Sequence, residues 1–183
     1  MKTLRKIGYV LAAVCLCFNL VSCSEDGPEA GDGNCTVKLG SESFKTPYGF
    51  WHMGYEDSDE SAGDNFVMME FYNFNPLSGN YPSMMSAVAI EYEVPAGQKE
   101  ISSAVIKGGD YHVYIAHKFA YEDGGKDCEN DYKNPNDPDL KIVRNGDSYS
   151  ISVEGLKVGD DDTPKYDFSF NFSGKLTHRQ IAQ

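Results

Sequence analysis

A chain of 183 residues with 28 Asp and Glu against 16 Lys and Arg carries a formal charge of −12 at neutral pH. A surface of that sign repels phosphate backbones and anionic headgroups, which argues against nucleic acid as a partner. The length suits one domain that buries roughly two thirds of the surface its unfolded chain exposes.

Lys2, Arg5 and Lys6 precede an apolar run, Ile7 to Val21, that ends in Leu20-Val21-Ser22-Cys23. A basic start, a short apolar stretch and small residues at the cut read as a secretory signal over residues 1–22. The run of about 15 residues falls short of the roughly 20 that a membrane-spanning helix needs. Without that segment the chain has 13 basic and 28 acidic residues, a formal charge of −15. A cysteine directly after the small residue resembles the bacterial lipoprotein signal, whose lipobox is Leu-x-[Ser/Ala/Gly]-Cys. The resemblance implies cleavage before Cys23, lipidation of Cys23 and a membrane partner held through acyl chains. Each buried methylene of such a chain contributes about 0.8 kcal/mol.

Residues 24–34 hold Gly, Pro, Asn and acids but no large apolar side chain, so 23–34 reads as the lipidated cysteine and a solvated tether. Cys23-Ser24-Glu25-Asp26 resembles a short form of the acidic export signal of Bacteroidota lipoproteins. It implies a lipid-anchored protein of the outer membrane, displayed at the cell surface.

Residues 35–183 punctuate themselves into strands of one domain. Thr36 to Leu39 and Ser43 to Lys45 flank Gly40-Ser41-Glu42, a hairpin signal. Phe66 to Phe74 is apolar in both alternating sets, which predicts a strand covered on both faces. In Met84 to Val94, Val88, Ile90, Tyr92 and Val94 oppose Ala87, Ala89, Glu91 and Glu93. Ile101 to Lys107 and Tyr111 to Tyr121 straddle Gly108-Gly109-Asp110, and Tyr111, Val113, Ile115 and Phe119 are placed on one face. Leu140 to Arg144 and Ser148 to Glu154 flank Asn145-Gly146-Asp147 as a second hairpin. Tyr166, Phe168, Phe170 and Phe172 alternate with Asp167, Ser169, Asn171 and Ser173, the period of a half-buried antiparallel strand. No stretch repeats apolar residues with helical period. About eight or nine antiparallel strands predict an all-β sandwich, with a closed barrel as the alternative. Leu140 to Ile151 and Phe168 to Leu176 resemble the closing strands of small Bacteroidota lipoproteins. Those are β-sandwich proteins largely without assigned function, so the resemblance implies fold and address only.

Cys35 and Cys128 are an even pair in a compartment that permits disulfides. A bridge would close a loop of about 90 residues, worth about 4–5 kcal/mol in the chain-entropy model; two separate thiols are the alternative. Acidic clusters at Glu56 to Glu60 with Asp64, at Glu122 to Asp139 and at Asp160 to Asp162 make calcium a candidate cofactor. None has the spacing of a calcium loop, and solvated loop charge is the simpler reading. His52, His112, His117 and His178 lack ligand spacing, and His112 and His117, five apart on a strand, are predicted to face opposite sides. No nucleophile motif occurs, so no catalytic residue is assigned.

Nine aromatics fall between Tyr48 and Tyr81, in a stretch without Lys or Arg. Most such rings fill a core. Trp51, flanked by Phe50 and His52, is expected to be exposed and to form with Tyr55 a stacking surface for sugar rings. The expectation is thus a non-catalytic binding module for a glycan or an envelope protein. A fimbrial or surface-layer subunit is the alternative, and a small glycan-acting enzyme the third reading.

Overall fold

The computed structural model describes residues 31–53, 66–78, 80–120, 124–130, 134–160 and 163–179. The signal segment, Cys23, the first acidic cluster and Tyr55 lie outside them.

The described residues form twelve strands: β1 (Gly31–Leu39), β2 (Glu42–Phe44), β3 (Tyr48–Met53), β4 (Phe66–Tyr72), β5 (Met85–Glu93), β6 (Ala104–Ile106), β7 (Tyr111–Ala120), β8 (Gly124–Glu129), β9 (Leu140–Asn145), β10 (Ser148–Asp160), β11 (Thr163–Lys175) and β12 (Thr177–His178). Hydrogen bonding joins them into one twelve-stranded sheet, which folds over its core as two layers. One runs β6-β9-β10-β11-β1-β2, the other β3-β4-β5-β7-β8 with β12 on the edge of β3. The layers touch at two corners, where β1 meets β3 through Gly31–Gly49 and Asp32–Tyr48, and β10 meets β8 through Gly159–Glu129 alone. Junctions this short leave a sandwich and not a closed barrel. All pairings are antiparallel except β12 on β3.

Period-two alternation builds the core. Val37, Leu39, Ile151, Val153, Phe168 and Phe170 point inward from the first layer, and Val67, Met69, Phe71, Val88, Ile90 and Val113 from the second. Phe71 bridges the layers, its ring centroid 4.7 Å from that of Phe170 and 4.9 Å from that of Phe172. Each such side chain, fully buried, contributes about 1.5–3 kcal/mol. The two predicted hairpins form with two-residue loops. Gly40 and Gly146 take the left-handed φ of 59° and 61° that those loops require.

Three details depart from the sequence reading. β1 starts at Gly31, inside the stretch read as tether, because Gly33 and Asn34 pair with Gly174 and Ser173 of β11. β3, β8 and β12 are additional strands. The first mixes Gly and His among its aromatics, the second is mostly Gly and charge, and the third has two residues. Phe119 does not share a face with Ile115, because the pairing of β7 slips beyond Ala116, where Lys118 takes a φ of 53°. By contrast β4 is covered on both faces as predicted: Val67, Met69 and Phe71 are buried on one side, Glu70 and Tyr72 on the other.

Candidate functional site

Trp51 is 7% exposed and belongs to the core between the layers, which corrects the expectation of an exposed stacking ring. The cause is register. On β3 the odd position 51 faces inward opposite Met69, and the outer side of the indole is covered by the His178 ring at a centroid distance of 4.3 Å. Cys35 and Cys128 are buried thiols on β1 and β8 and are not bridged to each other. Cys35 Sγ instead sits 3.2 Å from Thr46 Oγ1, and burial pushes its pKa up, against the lowering effect of that bond.

The described part of the second acidic cluster is a hydrogen-bonded pin. Asn130 accepts from Val113 N at 2.7 Å and donates to Tyr111 O and Asp137 Oδ2, while Asn134 donates to Asp137 Oδ1 at 2.9 Å. Among the described residues no group of three or more His, Cys, Asp or Glu has the geometry of a metal site.

The fold brings together polar groups that sequence spacing conceals. His112 and His117 do face opposite sides of β7. His112 Nε2 lies 3.5 Å from Glu129 Oε2 on the outer face. His117, 3% exposed, stacks on Phe44 of β2 at 4.0 Å, with Nδ1 3.0 Å from Ser86 Oγ of β5 and Nε2 3.2 Å from Glu42 Oε2 of β2. Lys118 N donates to the same hydroxyl, and Lys118 Nζ to the same carboxylate oxygen. With Nε2 carrying the imidazole proton every donor has an acceptor: Lys118 N–H to Ser86, Ser86 O–H to Nδ1, and Nε2–H to Glu42. The order serine, histidine, carboxylate is that of a nucleophilic relay. Here, however, Ser86 is 6% exposed and its backbone is clamped by Asn73 through N to Oδ1 at 2.8 Å and O to N at 3.0 Å. The relay fastens β2 of one layer to β5 and β7 of the other.

A second polar cluster sits on the outer face of β3 and β4. Glu70, 3% exposed, accepts from Tyr72 Oη at 2.9 Å and from Arg179 Nη1 at 2.5 Å. His52 Nε2 is 4.0 Å from the same carboxylate, and burial holds this imidazole below its ordinary range despite that neighbour.

The accessible polar surface lies elsewhere, on the outer face of the first layer. Asn34, Ser173 and Ser150 stand side by side across β1, β11 and β10, and Thr36, Asn171 and Ser152 form the next rung. These six line a shallow depression of about 310 Å³. Strand spacing of about 4.8 Å and a rung separation of about 6.8 Å turn their hydroxyl and amide groups into a regular grid. The signal was in the sequence, as the polar half of the alternation in β10 and β11. Comparison with protein-family models, with curated proteins and with solved structures found no match.

Proposed function

We propose that this protein is a lipid-anchored lipoprotein of a bacterial outer membrane, displayed at the cell surface, whose sandwich is a non-catalytic binding module. The Leu20-Val21-Ser22-Cys23 lipobox supports the anchor and the acids after Cys23 support the display. The observation that carries the binding role is the two-rung grid of Asn34, Thr36, Ser150, Ser152, Asn171 and Ser173. Small hydroxyl and amide groups at fixed spacing both donate and accept, which suits the ring hydroxyls of a glycan. The serine and histidine that stand in the arrangement of a nucleophilic relay, Ser86 and His117, are instead buried, which supports binding without catalysis.

Two measurements test this. Protease shaving of intact cells removes the protein if it faces outward and spares it until lysis if it does not. Affinity electrophoresis in polysaccharide-containing gels should show retention that Ser152→Ala with Asn171→Ala weakens at least tenfold, with the melting temperature little changed. Retention unaffected by that pair would remove the grid as the ligand surface.

A structural-subunit reading is favoured by one feature. On the edge strand β6 and its neighbour β9, Val105 and Val143 are 57% and 55% exposed. Concentration-dependent assembly in size-exclusion chromatography would support it, and a monomer at all concentrations would end it.

A further inference from the structure

The segment after β11 crosses the edge of β3 as a strap. Thr177 and His178 pair in parallel with Phe50 and Trp51, and Arg179 N donates to Trp51 O at 2.9 Å. The strap then turns its last described side chain onto the outer face. Arg179 Nη1 meets Glu70 Oε2, and its guanidinium carbon stands 5.8 Å above the centre of the Phe50 ring. The receiving site is built for a planar cation. Glu70 is held by Tyr72 Oη, both side chains are nearly inaccessible, and Phe50 supplies an aromatic face. A carboxylate this deeply buried requires a charged partner with hydrogen-bond geometry. Guanidinium fits better than ammonium, since it can bond the carboxylate and stack on the ring at once.

We infer that Glu70, Tyr72 and Phe50 form a guanidinium socket that reads an arginine on an extended peptide laid along β3, filled in cis by Arg179 and open in trans to an arginine-bearing segment that displaces the strap. Among the described residues the strap's backbone is seen paired to β3 at Thr177–Phe50 and His178–Trp51 and through the Arg179 N–H bond. The socket carries the selectivity, because a competitor lacking the cation would leave Glu70 buried and uncompensated. The recognition mode is strand addition with a side-chain anchor. It uses the opposite layer from the polar grid and does not depend on what the grid binds.

The test uses the full chain with Arg179→Ala, and the chain's single tryptophan, Trp51, stacked on His178, as reporter of the strap. The variant should melt about 10 °C below the wild type, the scale for breaking a buried ion pair in a domain of this size. Millimolar ethylguanidinium should restore several degrees to the variant and none to the wild type, while ethylammonium at equal concentration should restore neither. A peptide of residues 173–179 should change Trp51 emission of the variant saturably. The same peptide with citrulline replacing arginine should need at least tenfold more. Equal rescue by the two small cations, or equal binding of the two peptides, would overturn the socket. If Arg179→Ala fails to fold, refolding yield with ethylguanidinium against ethylammonium decides: a selective gain supports the inference and its absence ends it.

Discussion

His117 Nε2 lies 3.2 Å from Glu42 Oε2, although 75 positions separate the two residues and they belong to different layers of the sandwich. Through Ser86 the contact becomes a three-member chain, so its members should act as a unit. Ser86→Ala leaves Nδ1 without its donor and Glu42→Ala leaves Nε2–H without its acceptor, and each should cost about 1–3 kcal/mol. In urea unfolding the double variant should fall short of the sum by about 0.5–3 kcal/mol. Strict additivity would mean that the contacts are independent.

Lys118 pays for its place in the relay with a left-handed backbone, φ 53°. Glycine adopts that conformation freely and alanine does not. Lys118→Gly should therefore be more stable than Lys118→Ala by about 1 kcal/mol, the reverse of the usual order inside a strand. Thermal melts of the two variants check the sign. Alanine at or above glycine would show that the backbone there relaxes.

Tyr92 Oη is buried and has no hydrogen-bond partner among the described residues, and burial raises its pKa. Removing an unsatisfied hydroxyl while keeping the ring relieves a desolvation cost. Tyr92→Phe should leave stability unchanged or raise it by about 1 kcal/mol, as read by denaturant midpoint at constant m-value. A loss above that size would reveal a partner for the hydroxyl.

Glu91, on the outer face of β5, has its pKa raised above 4.5 by burial. The native state therefore holds this proton to higher pH than the unfolded chain does. Between 4.5 and the raised value the native state binds more protons, so its contribution to stability falls as pH rises. Glu91→Gln should accordingly gain stability at neutral pH relative to the wild type. The gain should vanish below pH 4.5, where both states of the wild type are protonated. A pH series of melts on both proteins measures this. A difference that grows toward acid would contradict the sign.

Strand periodicity survives translation into sequence because it is local. The inward set Val88, Ile90 and Tyr92, the phenylalanines 168, 170 and 172, and the turns at Gly40 and Gly146 each declare themselves within a few residues. The polar grid was half legible for the same reason. The alternation of Ser150, Ser152, Asn171 and Ser173 was visible, but not that β11 would lie between β10 and β1 and align them into rungs.

What the amino-acid order determined by itself was the all-β class, the two hairpins and the double-sided burial of β4, since a period of two fixes which side chains share a face. Tertiary structure alone decided that Trp51 turns inward beneath His178, and that Cys35 reaches Thr46 and not Cys128. It also decided that Ser86, His117 and Glu42 meet, and that Glu70 finds Arg179 across 109 positions. Those encounters depend on register between strands distant in sequence. Register is set by how two whole apolar faces interlock, and no single segment carries that information.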